Sequence, residues 1–361
     1  MHHFFVITPP GLEGVGAAEA RSLGLADARP VPGGVVCSGD RCDLLRLHLG
    51  ARIASRILLR IWEGPLPALQ RLSSAVDFGA LLPDGGTFAV DESGGGSRPA
   101  ELIRPVGEAI LRQVPAARWG DGADAQRFLV RLDRGHVTVS ADATGEHLHL
   151  RGYRQETGVA PLRENLAAGI LALAGWEGST PLFDPMCGSG TFLVEGALAA
   201  LRRPPGAERT FACERWPWLD PELVAEERDA LRAQERQAPP APIHGSDKNA
   251  GALGVARRNA QRAGVFEHLH LARADATTVE PPSGPGLLVT NPPYGRRVGE
   301  EREMEELYRR FGRRLAQRFG GWRVAVLFAD PRLEAALGLP KATGHALRNG
   351  GIPCRLVVAD I

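Results

Sequence analysis

Two short stretches carry residues whose types and order suit chemistry. Asp184 to Thr191 reads DPMCGSGT, and Asn291 to Gly295 reads NPPYG. An exocyclic amine on a planar base is a poor nucleophile because its lone pair is delocalised into the ring. The Asn291 side-chain oxygen can accept one amine hydrogen and the Pro292 backbone carbonyl the other. Pro292 and Pro293 lack an N–H and fix φ, so that carbonyl is held rigidly. Held this way, the lone pair turns toward an incoming methyl group. Tyr294 offers a ring face on which a flipped-out planar group can stack. The gain in rate would come from positioning and charge complementarity, with no covalent enzyme intermediate. The plainer reading of NPPY is a rigid exit from a buried strand, and two prolines continue a strand poorly.

In the first stretch, Gly188 and Gly190 let the backbone turn tightly and approach a ligand closely. A helix starting near Thr191 would offer unpaired amides at its N-terminus. A dinucleotide site would want GxGxxG, but Leu193 stands where the third glycine belongs, and the Gly-Lys-Ser/Thr of a phosphate-binding P-loop is absent. The loop therefore suits an adenosyl ligand with an amino-acid tail and no phosphates, although a plain strand-to-helix turn has the same composition. Asp247 in HGSDKNA can accept hydrogen bonds from two ribose hydroxyls, or serve as a helix N-cap. Asp275 in ARADAT can accept from an adenine amino group, or form a turn.

These residues need elements to place them. From Tyr153 onward the pattern alternates: helix over 161–176, amphipathic by its spacing; strand 180–185; helix 191–203; strand then helix over 241–265; strands ending in HLHLARAD and GLLVTNPPYG; strand 322–330; and a closing CRLVVADI. Strands alternating with helices of this length predict a parallel, doubly wound sheet, whose ligands sit at the carboxyl ends of the strands. Each candidate motif falls at such an end. Residues 203–242, bounded by Pro-rich stretches around a charged helix, read as an insertion on the edge of that sheet.

The first 150 residues read as a small α+β region. Strands are predicted near 4–8 and 33–39, a helix over 11–25, and a helix running into a strand over 42–64. On that helix Arg52, Arg56 and Arg60, four apart, would form a basic stripe or a solvated face. A glycine-rich loop over 91–101 precedes a helix from about Pro99 to Gln113, and Asp133-Arg134-Gly135 marks a hairpin.

Composition sets outer limits. The 361 residues, 43% hydrophobic and 24% charged, are enough for two or three globular domains with real cores. No apolar run reaches membrane-spanning length, and the N-terminus lacks the basic start and long apolar stretch of a signal peptide. Five cysteines (37, 42, 187, 213, 354) with no CxxC pair fit free thiols in a reducing cytoplasm and argue against a zinc site or other metal. The net charge is +1: residues 1–150 carry 15 arginines against 17 acids, and residues 151–361 carry 28 basic against 25 acidic residues. Neither half has the strong positive charge of a typical nucleic-acid binder. Lys248 and Lys341 are the only lysines, so arginine dominates; coding bias or a choice for phosphate forks both account for that.

The motifs resemble, as an ordered set, those of the THUMP-containing RNA methyltransferases. LRGYR…APLRENLAAGIL, FDPMCGSGTFLVEGA, GSDKNAGALGVARRNAQRAG and NPPYGRRVG recur there in this order, and GLEGVGAAEARSLG, GGVVCSGD and RIASRILLRI resemble the family's N-terminal part more loosely. The likeness is nearest to the bacterial enzymes that methylate guanine N2 in 23S rRNA. It implies a ferredoxin-like piece over 1–45, a THUMP-like RNA-binding domain over 46–152, and a Rossmann-like, doubly wound methyltransferase domain over 153–361 that uses S-adenosyl-L-methionine (AdoMet). By position it implies a cofactor-binding set of Asp184, Pro185, Cys187, Gly188, Ser189, Gly190, Thr191, Asp247, Lys248, Asp275, Ala276 and Asn291. Of these, Asp184, Gly188 and Gly190 would line the methionine end, Asp247 the ribose and Asp275 the adenine. The implied catalytic set is Asn291, Pro292, Pro293 and Tyr294. Some relatives carry a second fused methyltransferase domain, for which this sequence, ending at Ile361, has no room.

Three other readings stay open. A tRNA guanine shares every motif. NPPY also serves adenine-N6 and protein-glutamine methylation, since both acceptors are planar amines. An RNA-binding assembly factor with a dead site is the alternative from another class, and intact Asp184, Asp247 and Asn291 speak against it.

Overall fold

The structure, a computed structural model, describes residues 1–94, 99–156, 162–282, 284–293 and 301–361. The chain divides into two compact units, one of residues 1–8, 16–148 and 206–233, the other of residues 9–15, 149–205 and 234–361. No described helix is long and apolar enough to cross a membrane.

Among the described residues, the first unit holds strands β1 (His2–Ile7), β2 (Arg29–Val31), β3 (Gly34–Gly39), β4 (Arg56–Pro65), β5 (Thr87–Glu92), β6 (Arg118–Trp119), β7 (Gln126–Asp133) and β8 (His136–Asp142). They form one sheet in the order 2-3-1-4-8-7-5-6. Period-two alternation sets its faces: Phe4 and Val6 point into the core while His3 is exposed and Phe5 half-buried. The expected hairpin forms, with Arg134 and Gly135 both at positive φ (49° and 83°), the geometry of a two-residue turn that matches strand twist. The pairing of β1 with β4, His3 opposite Arg60, joins the stretches on either side of residue 45 into a single sheet.

Two expectations need correction here. The helix after Asp40 ends at Gly50, so Arg56 and Arg60 lie on β4 and no helical arginine row exists; Arg56 instead pairs with the buried Asp142. Most of the segment read as an insertion on the second sheet's edge, residues 206–233, belongs to the first unit. It places Phe211, Cys213, Trp216, Leu219 and Val224 in that unit's core. The Trp216 indole donates to the Gln126 side chain at 2.7 Å, and Arg46 grips Glu227 with two bonds of 3.0 and 3.2 Å. Its apolar residues cover that core, so its burial is satisfied away from the second sheet.

The second unit holds β9 (Leu182–Asp184), β10 (Ile243–Asp247), β11 (Leu269–Arg273), β12 (Leu287–Thr290), β13 (Arg323–Phe328), β14 (Thr343–Asn349) and β15 (Ile352–Asp360), in the order 11-10-9-12-13-15-14. Strands β9 to β13 run parallel, as the alternation of strands with helices predicts. The sheet is not wholly parallel: β15 lies antiparallel between β13 and β14. β14, sequence TGHALRN, went unread because its polar residues suit an edge strand. A tight turn at Gly350 (φ 62°) then sends the chain straight back, which permits only antiparallel pairing.

The helix Glu164–Leu173, expected to be amphipathic, is buried on all sides from Glu164 to Leu171. Its one acid is answered by the Arg154 guanidinium through two bonds of 3.0 and 3.1 Å.

Candidate active site

Chain order and strand order part company between β9 and β12. From β9 the chain winds outward through β10 and β11, then returns to β12 on the other side. That reversal leaves a crevice beyond the carboxyl ends of the strands. Asp184 ends β9, Asp247 ends β10, Asp275 follows β11 and Asn291 follows β12. With adjacent strands about 4.8 Å apart, these four positions span roughly 14 Å along one edge. Sequence separation of more than a hundred residues is thereby reduced to a single row.

Each strand end is tied to its neighbour. The Cys187 amide donates to the Ser246 carbonyl at 2.9 Å, and the Ser246 hydroxyl to the Pro185 carbonyl at 3.4 Å. The Asp247 carboxylate accepts from the Gly188 amide at 3.0 Å and from the Asn249 amide at 2.8 Å. Asp247 therefore spans from its own loop to the glycine turn. Asn249, not Asp247, caps the following helix, Ala250–Arg262.

Gly188 (φ 54°) and Gly190 (φ 81°) sit in the left-handed region that favours glycine. A Cβ on Gly188 would meet nothing within 4 Å, so its backbone faces open space. One on Gly190 would lie 3.0 Å from the Ala256 side chain, so that glycine admits the helix behind it. Gly190 begins the helix Thr191–Ala200, which has no side-chain cap. Its first amides thus supply a positive end beside Gly188. Ser189 and Thr191 hydroxyls approach each other at 3.5 Å.

The electrostatics differ along the row. Asp184 is buried, and desolvation raises its carboxyl from the ordinary 3.8 to about 7, partly offset by the Thr290 hydroxyl and the Met186 amide. Burial also pushes the Cys187 thiol well above its usual range, which keeps it protonated. Asp275 is exposed, and the Thr277 hydroxyl (2.7 Å) and amide (2.8 Å) hold its carboxyl below the usual range. Arg310 in turn donates to that Thr277 hydroxyl at 3.1 Å. Ala276 is buried beside it, while Lys248 is exposed and offers its carbonyl to Arg273 at 3.2 Å.

Pro292 is buried and Pro293 exposed; the Pro293 carbonyl accepts from the Tyr308 phenol at 3.3 Å. Tyr294 lies outside the described residues. Tyr308, Thr277, Asn249 and Asn259 are site neighbours that sequence reasoning missed. Among the described residues no group of three or more His, Cys, Asp or Glu is placed to hold a metal ion.

Residues 151–358 match the family described as "RMKL-like, methyltransferase domain", and residues 3–58 match the "RlmL ferredoxin-like domain". The ribosomal RNA large subunit methyltransferase K/L of Shewanella sp. (strain ANA-3) is 36% identical over 98% of this chain and 52% of its own length. The chain thus spans about half the length of the K/L relatives it matches. A candidate RNA methyltransferase of Synechocystis sp. is 32% identical over 99% of this chain and 96% of its own. The crystal structure of SMU.472, a candidate methyltransferase complexed with SAH, is similar at a TM-score of 0.89 and 28% identity, covering 99% of this chain and 98% of that one.

Proposed function

Because this chain belongs to the family of RMKL-like methyltransferases, we propose that it transfers a methyl group from AdoMet to the N2 amine of a guanine in 23S rRNA. The observation that carries the reading is the row Asp275, Asp247, Asp184 and Asn291 on four neighbouring strand ends. Its order suits adenine, ribose, methionine tail and target amine in turn.

The residues present fit AdoMet. Gly188 leaves open space for a close approach, and the uncapped amides at Thr191 suit a carboxylate. Asp247 can accept from ribose hydroxyls, and the buried Asp184 suits an ammonium that would restore its charge. Pro185, Cys187 and Ser189 within the turn, and Lys248 and Ala276 beside Asp247 and Asp275, are assigned to the same site by their position. When bound, AdoMet supplies an electrophilic methyl group on a sulfonium centre. The chain's part is placement: Asn291 and the Pro292 carbonyl accept the two amine hydrogens, which aims the nitrogen lone pair. Tyr294 would supply the stacking face. Residues 46–152 are proposed as the THUMP-like RNA-recruiting domain, and the ribosomal substrate places the enzyme in the cytoplasm.

The test is incubation with methyl-labelled AdoMet and either unmodified 23S rRNA or bulk tRNA, followed by digestion to nucleosides. Label in N2-methylguanosine from rRNA supports the reading. Label in tRNA keeps the mechanism and replaces the substrate. Label in neither, with AdoMet bound, favours a protein acceptor or the assembly-factor reading. Asn291→Ala is expected to abolish transfer while AdoMet binding largely survives.

A further inference from the structure

Asn259 is fully buried on the helix Ala250–Arg262, a place where alanine or leucine would be the cheaper helical residue. Both ends of its amide are engaged. Nδ2 donates to the Ser189 carbonyl at 3.0 Å, and Oδ1 accepts from the Arg262 guanidinium at 2.5 Å. Arg262 is itself fixed, because its Nε donates to the Tyr153 carbonyl at 2.8 Å.

The point of contact matters. Ser189 lies between Gly188 and Gly190, two residues whose dihedrals are the least restricted in the chain. The Ser189 carbonyl shares a rigid peptide plane with the Gly190 N–H, which closes the turn onto the Cys187 carbonyl at 2.8 Å. Fixing that carbonyl therefore fixes the plane and the Gly190 N–H within it, which leaves one anchored peptide in the middle of the turn. The same helix presses Ala256 against Gly190 one turn earlier. A loop built from free-rotating glycines is thus made rigid from behind.

We propose that Asn259 is a positioning residue for the cofactor loop, acting through the Ser189 carbonyl, with Arg262 as the brace that orients its amide. The proposal rests on the reading of residues 184–191 as the AdoMet cradle.

Asn259→Asp keeps the acceptor that Arg262 grips but replaces the donor with a second acceptor facing the Ser189 carbonyl. The expected result is an AdoMet KM and calorimetric Kd raised about tenfold or more, the worth of one buried hydrogen bond, with kcat at saturating AdoMet and the RNA KM unchanged. Arg262→Lys, at an exposed position, keeps the charge but cannot reach both partners in one plane; a rise of about threefold is expected by the same argument. It serves where Asn259→Asp fails to fold. Wild-type AdoMet affinity in both variants overturns the proposal. So does a fall in which AdoMet KM, RNA KM and kcat worsen together, since that marks a merely structural role. A wild-type protein that binds no AdoMet overturns the underlying reading instead, and calorimetry on the wild type separates the two.

Discussion

The phenol of Tyr308 donates to the carbonyl of Pro293 across 3.3 Å. Tyr308 is 1% exposed on the helix Glu301–Arg318, where its ring packs beside Phe328 at 5.8 Å. The Asn-Pro-Pro segment is therefore tethered to the core by a group that the prolines cannot provide for themselves. Tyr308→Phe keeps the ring and removes the hydrogen bond to Pro293. We expect kcat to fall about tenfold with the AdoMet KM unchanged, because one hydrogen bond is lost on the acceptor side of the site. Steady-state kinetics with AdoMet and RNA varied separately check it; an unchanged kcat would mean that this hydrogen bond does not position the segment.

Asp247→Ala removes the acceptor of two amides at once, those of Gly188 and Asn249. AdoMet affinity should fall by about a hundredfold, the sum of a ribose contact and a loosened glycine turn. Asp247→Asn keeps one carbonyl oxygen and should fall between the two. Isothermal titration calorimetry reads both. If Asn matched wild type, the charge of Asp247 would be irrelevant to binding.

The row of strand ends was legible in the sequence because the Asp184 and Asn291 motifs each close a short, mostly apolar run, and because strands alternate with helices around all four. β9 (LFD), β12 (LLVT) and β13 (RVAVLF) leave little choice of element. What escaped was decided by packing at long range. Helix Glu164–Leu173 reads as two-faced until its polar positions are seen to be buried, with Glu164 answered by Arg154 ten residues earlier. Asn259 looks like any surface residue of a charged helix, and only its partner seventy positions away, Ser189, explains its burial. Arg52, Arg56 and Arg60 mimic a helical period although the helix has already ended at Gly50: Arg52 lies in the loop that follows, and the other two lie on β4. Helical spacing carries no information across such a boundary.

Asp184 gives a pH signature. Burial lifts its carboxyl from 3.8 in the unfolded chain to about 7 in the folded one. Between those values the native state binds more protons than the unfolded state, so stability falls as pH rises through that window and levels off above it. Between pH 5 and pH 8 the loss should be on the order of 2 kcal/mol without ligand. Asp184→Asn should remove this slope, measured by urea unfolding at the two values. Parallel pH profiles for variant and wild type would show that water reaches the carboxyl.

The 206–233 segment separates position in sequence from position in the fold. Trp216 is 2% exposed, stacks on Trp218 at 5.8 Å and donates to Gln126, whose amide also holds the Asp142 carbonyl at 2.9 Å. Trp216→Ala leaves a cavity in the first unit's core and takes the partner from the Gln126 oxygen, a loss of about 3–5 kcal/mol. For a unit of this size that corresponds to a Tm lower by roughly 10 °C. AdoMet affinity measured well below the transition should be unchanged, because Trp216 supports the first unit and the strand ends belong to the second. A variant with normal Tm and weakened AdoMet binding would return the segment to the methyltransferase sheet, where its place in the sequence suggested it belonged.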